Sequence, residues 1–193
     1  MNEELRAELI RMDEYDQAVR AELAADGSLF DGYHPRMAAV HDANAVRLRE
    51  IIENHGWPVE SLVGEDGAKA AHRIAQHSIN HPEFMRECRQ LLDEASLNGE
   101  VPRWQFAYID DRIRAFEGFP QRYGTQWRDG PHGIEPYPIE DPDRVDERRA
   151  ALGLPSLNEL RASRPPEHTW DAEKAKRLEE MELAWRREVG WVR

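Results

Sequence analysis

Apolar residues recur along this chain at a spacing near ~3.6 residues, and no segment alternates apolar and polar side chains as a half-buried strand does. That pattern commits the chain to helices packed through apolar stripes, an all-α class. Leu5, Ile10, Met12, Val19 and Leu23 mark a first helix over residues 3–25, closed by Asp26-Gly27. Tyr33-His34-Pro35 turns the chain into a second helix, residues 36–55, carrying Val40, Val46, Leu48, Ile51 and Ile52. Gly56-Trp57-Pro58 stops it, because the residue before a proline is biased away from helix. After the short segment Ser61-Leu62-Val63-Gly64, a third helix over residues 66–79 has Ala68, Ala70, Ala71 and Ala75, small enough for neighbours to approach closely. A fourth, residues 82–97, opens on Pro82, and a fifth covers residues 102–116.

Residues 117–140 hold Gly and Pro without a sustained period and are expected to form one long irregular loop. Asp141-Pro142-Asp143 caps a further helix that Gly153 ends, and residues 156–161 add a turn or two. Arg164-Pro165-Pro166 reads as a hinge before a last helix from residue 169, with Leu178, Met181, Trp185, Val189 and Val192 along one side. The expected architecture is a compact single-domain helical bundle, residues 1–162, with a C-terminal helical arm, residues 163–193.

Charge removes several classes of function. The 193 residues carry 26 Lys+Arg against 38 Asp+Glu, a net charge of −12, whereas nucleic-acid binding asks for a basic face. No apolar run approaches the roughly 18 residues of a spanning helix, and Met1-Asn2-Glu3-Glu4 lacks a signal-peptide pattern, so neither nucleic acid nor membrane is expected as a partner. A single cysteine forms no internal disulfide, and a cytoplasmic location follows as the expectation. Cys88 falls with Phe84, Leu91, Leu92 and Ala95 at helical spacing, as a core residue does. The glycines match neither a phosphate loop nor a dinucleotide fingerprint, and no Gly-x-Ser-x-Gly elbow occurs. No cofactor is therefore expected. Trp170, Trp185 and Trp191 suit docking of the arm, either on the main domain or on a second copy in a homodimer.

Among chemistry-bearing residues His77 stands first. With Ala70 and Ile74 it falls within roughly 60° on one helix face, pointing inward beside small side chains, with Gln76 on the flank. An imidazole there is suited to general acid or base work, or is a core histidine with both nitrogens satisfied. His77 and His81 have metal-ligand spacing, but Pro82 pushes His81 out of the helix. His41 would join His77 from another helix with Asp110 or Asp111 as third ligand, though nothing in the spacing demands it, and no metal is expected. Asp111 is suited to orienting His77, and Arg112 to holding a carboxylate or phosphate; the alternative is an ion pair that fixes helix positions. Gln121, Tyr123, Thr125 and Gln126, around Gly124, concentrate hydrogen-bonding groups that would wall a polar pocket or satisfy their own loop.

Asp16-Gln17 with Arg20, Asn44, Gly56-Trp57-Pro58, Gln76-His77, Asp111-Arg112, residues 121–126, Pro138-Ile139-Glu140-Asp141 and Arg148-Arg149 with Gly153-Leu154 occur in one order. Taken together, they resemble an uncharacterised bacterial family of the domain-of-unknown-function type over residues 13–160. The resemblance implies a mainly helical domain in which His77, Asp111, Arg112, Gln121, Tyr123 and Gln126 gather, and it implies no reaction. One departure is His41, where the pattern has an acidic residue three before Asn44.

The leading expectation is an enzyme of hydrolase or lyase type acting on a small polar or anionic substrate in a helix-lined pocket. In it His77, Asp111, Arg112 and Tyr123 are catalytic, and Asn44, Gln76, Gln121, Thr125 and Gln126 bind substrate. The alternative is a non-catalytic interaction or regulatory protein, such as a toxin-neutralising partner, in which the same residues form a structural network.

Overall fold

The computed structural model describes residues 1–131, 133–163 and 170–193. Helices occupy most of them: α1 (Glu3–Ala25), α2 (Pro35–His55), α3 (Glu60–His77), α4 (Pro82–Leu97), α5 (Arg103–Glu117), α6 (Val145–Ala150), α7 (Leu157–Ala162) and α8 (Ala172–Val189). The mainly helical expectation holds. The expected hinge at Arg164-Pro165-Pro166 and the start at residue 169 lie outside the described residues. No helix among the described residues is long and apolar enough to cross a membrane.

Local chemistry accounts for the helix ends. The Asn2 side chain accepts the Leu5 N–H at 3.1 Å to cap α1, and Pro35 opens α2 with its ring already at a helical φ. Gly64, at φ 72° and ψ 167°, interrupts α3, so its first turn stands apart from the run that carries the alanines.

The chain divides into two compact units, residues 1–105 and 106–193. In the first unit, pairs of side chains reveal how the helices run. Arg6 meets Asp66, Asp13 meets Arg73 and Asp16 meets His77, at 2.6, 2.9 and 2.9 Å. Partner numbers climb together, so α1 and α3 lie parallel. Glu8 meets Arg47 at 2.6 Å and Glu22 meets Arg36 at 2.7 Å, with numbers running oppositely, so α1 and α2 lie antiparallel. Each exposed pair adds little stability, about 0–1 kcal/mol, but several in one register fix which turns face each other. Beneath them Leu9, Leu48, Ile51, Val63, Ala71, Ile74, Phe84, Met85, Cys88 and Leu92 are buried, as their helical spacing requires.

The second unit departs from a purely irregular loop, with a parallel bridge between Gln121 and Ile139 and a short hairpin. Trp127–Gly130 (β1) and Gly133–Pro136 (β2) pair antiparallel, Trp127 opposite Pro136 and Gly130 opposite Gly133. Four-residue strands without an alternating apolar face leave no period to read, and the cross-strand pair Arg128–Glu135 is charged. In the arm, Trp185 and Trp191 of the same chain pack on Phe116 with ring centroids 5.4 and 5.2 Å away, and Trp191 is buried.

Candidate functional site

Three helices of the first unit converge on one carboxylate. Asp16 belongs to the stripe Leu5, Leu9, Val19 and Leu23 that α1 buries, so the spacing that makes α1 amphipathic carries this acid inward, to 1% exposure. His41 sits likewise among Met37, Asn44, Ala45 and Leu48 on the inward face of α2. His77 ends α3 on the Ala70 and Ile74 face, its side chain 20% exposed.

The contacts are close. His77 Nδ1 lies 2.9 and 3.1 Å from the two Asp16 oxygens, and His41 Nε2 lies 3.2 Å from Oδ2. The Gln17 amide donates to Oδ1 at 3.1 Å. The imidazoles of His41 and His77 stand 4.9 Å apart, centroid to centroid. Behind His41, the Tyr33 hydroxyl lies 2.8 Å from Nδ1 and the two rings stack at 5.7 Å. Tyr33 is positioned by packing on the apolar cluster of Val19, Leu23, Met37 and Val40. His41 Nε2 is buried and makes no hydrogen bond of acceptable geometry despite its closeness to Asp16.

Electrostatics follow from this geometry. Burial works against the Asp16 charge, but the two imidazoles outweigh it and hold the carboxyl well below the usual carboxylate range. Burial, then the charges of Asp42 and Asp16, push the Tyr33 phenol far up, so it stays protonated and neutral. An ionised carboxylate on Nδ1 orients the His77 ring and makes Nε2 the nitrogen that accepts a proton. Asp16, His41 and His77 each also offer one atom suited to ligating a metal, all within 4.8 Å of one another.

Asn44, one turn beyond His41, donates to the Met12 carbonyl at 3.5 Å, and Gln76 lies 3.4 Å from His72 Nδ1. His81 is non-helical, as Pro82 demands, and lies 3.1 Å from Asp42. A cleft of about 260 Å³ lies elsewhere in this unit, between Glu60, Glu65, Lys69, Glu100, Trp104 and Gln105. Lys69 there is paired with Glu65, and the walls hold no matched acid and base, so the chemistry favours the Asp16 cluster over this cleft.

In the second unit the remaining expected residues form a different assembly. Asp111 is fully buried and accepts from the N–H groups of Arg122, Tyr123 and Thr125 at 2.6, 3.1 and 3.0 Å, and from the Thr125 hydroxyl at 3.0 Å. Burial raises the Asp111 pKa against those donors. Gln121 donates to the Gln126 and Tyr137 carbonyls and accepts the Gln126 N–H, each at 2.9 Å. Arg112 Nε donates to Gln126 Oε1 at 2.9 Å, and the buried Arg149 donates to the Tyr123 carbonyl at 2.6 Å. Gly124 is at φ 66°, where a Cβ would stand 2.9 Å from Leu157 and 3.0 Å from Ile139. The polar sequence Gln121 to Gln126 thus winds around Asp111.

Both assemblies lie on the segment that a model for a family of unknown function, DUF6624, matches, residues 3–164. The chain belongs to that family. Membership in DUF6624 brings no reaction with it, and comparison with the curated proteins and with the solved structures gives no significant match. The site therefore rests on its own geometry. Expectation set Asp111 behind His77, whereas the carboxylate on His77 Nδ1 is Asp16 and both Asp111 oxygens take loop donors. Asp16 was singled out only as part of a motif. Its signal is a lone acid inside the stripe 5, 9, 16, 19, 23, where the other members are apolar.

Proposed function

We propose that this member of DUF6624 is an enzyme of hydrolase or lyase type that withdraws a proton, from water or from a small polar or anionic substrate, at the Asp16–His41–His77 cluster. The observation that carries this is a desolvated carboxylate held 2.9 Å from an imidazole that is itself partly exposed. Burying an ionised carboxylate costs several kcal/mol, and aligned aspartate–imidazole geometry is a standard way of raising the basicity of the outer nitrogen. Gln76 and Asn44 lie within one turn of the two histidines and supply amides for orienting a substrate. The single buried cysteine and the acidic surface suit a bacterial cytoplasm, the setting we assign to it.

A screen of phosphate esters, carboxylate esters, amides and β-elimination substrates tests the reading. Turnover of at least one class should fall about 10²–10⁴-fold in His77→Ala. Turnover indifferent to that change, or none from the wild-type chain on any class, contradicts it.

A second reading draws on the other unit. There Asp111, Gln121 and Thr125 direct their hydrogen bonds to the loop itself and Gln126 ties it to α5, as a non-catalytic interaction or regulatory protein would hold a recognition loop in shape. Capture of a basic protein partner, lost in loop variants and retained in His77→Ala, would favour it.

A further inference from the structure

The orphaned nitrogen of His41 carries the argument one step further. A buried ring nitrogen without a hydrogen bond is costly, so its place 3.2 Å from a carboxylate oxygen asks what it faces. Two atoms that share one ion, each about 2.0–2.2 Å from it, lie about 3.0–3.4 Å apart at right-angled or tetrahedral geometry. The separation of His41 Nε2 from Asp16 Oδ2, 3.2 Å, falls in that range, and that of His77 Nδ1 from the same oxygen, 2.9 Å, falls just below it. Nε2 has no acceptor in hydrogen-bonding geometry, whereas an ion shared by two ligands sits to one side of the line between them. The outer partner is also in place. Donation from His41 Nδ1 to the Tyr33 oxygen, 2.8 Å away, leaves Nε2 with its lone pair toward the cluster, as ligating histidines are commonly held.

We propose that Asp16, His41 and His77 bind one divalent transition-metal ion, of which zinc fits the donor set, through one carboxylate oxygen and two imidazole nitrogens. Three protein ligands leave a coordination position for water, and a bound water gives up a proton to solvent near neutral pH. Two imidazoles with a carboxylate select against calcium and magnesium, which take oxygen ligands. The inference rests on the reading that this cluster is the reactive centre, and names its cofactor; the ion would take the place of the proton that His77 Nδ1 shares with Asp16 in the metal-free chain.

Titration of the metal-stripped full-length chain with Zn²⁺, in competition with a chromophoric chelator, tests it without any substrate. One equivalent should bind, with affinity falling about 100-fold or more in Asp16→Asn, His41→Ala and His77→Ala, and about 10–100-fold in Tyr33→Phe with stoichiometry kept. His81→Ala, outside the cluster, should leave affinity unchanged. Circular dichroism checks that each variant is folded. Should the ligand variants fail to fold, Co²⁺ on the wild-type chain decides: visible bands of four- or five-coordinate cobalt support the site, and the spectrum of hexa-aqua cobalt overturns it. Absence of saturable uptake, or wild-type affinity retained in His41→Ala or His77→Ala, also overturns it. Turnover that depends on His77 yet persists in chelator would overturn the metal and leave the proton-transfer reading standing. Tight stoichiometric zinc with no turnover would do the reverse.

Discussion

Asp16 stands where water is nearly excluded, and a carboxylate in such a place either takes up a proton or finds positive partners. It has partners, and its pKa is lowered accordingly. In the unfolded chain an aspartate titrates near about 3.9, above the folded value, so on acidification the unfolded state binds the proton first. Stability from ionised Asp16 is therefore complete above about pH 5 and is lost as pH falls through the unfolded value toward the folded one. Urea unfolding of the metal-free chain at stepped pH should show that decline, with a shallower slope for Asp16→Asn. An unchanged slope in the variant contradicts the assignment of Asp16 as the low-pKa group.

Among elements, α1 is the shared neighbour of the site. It runs parallel to α3 and antiparallel to α2, and the same ladder of pairs that sets this register delivers Asp16 to His77 and to His41. Helix positions and most ends were legible from period, proline and glycine, because those signals are local. The β1–β2 hairpin was not, since four residues a side, Trp127–Gly130 and Gly133–Pro136, are too few to carry an alternating pattern. The loop around Asp111 behaves as an element of its own, shaped by one buried carboxylate and by the left-handed backbone at Gly124. Gly124→Ala should lower unfolding free energy by about 1–3 kcal/mol, from the φ penalty and the crowding by Leu157 and Ile139. Thermal or urea denaturation measures this, and a variant as stable as wild type would show the loop to be looser than its hydrogen bonds indicate.

Over the whole molecule, polar residues of similar sequence character play two unlike parts. His77 was legible as an inward histidine from Ala70 and Ile74, yet its carboxylate partner lies 61 positions away, beyond the reach of any helical period. Asp111 was legible only as one of a cluster of which part could face inward, with a solvated Asp-Arg pair the commoner case, and its partners are the N–H groups of a loop, which no side-chain pattern encodes. The distinction matters for energetics. Truncating partly exposed His77 admits water to Asp16, whereas converting Asp111 to an amide sets an NH₂ group against backbone donors with no water to compensate.

The central claim is that the Asp16–His41–His77 cluster exists for chemistry and the Asp111 cage for stability. Side-by-side urea unfolding of His77→Ala and Asp111→Asn at neutral pH tests it most directly. The expected result is a change within about 1 kcal/mol for His77→Ala and a loss of about 2–4 kcal/mol for Asp111→Asn. A loss in His77→Ala as large as that in Asp111→Asn would make the cluster a structural plug and contradict the account.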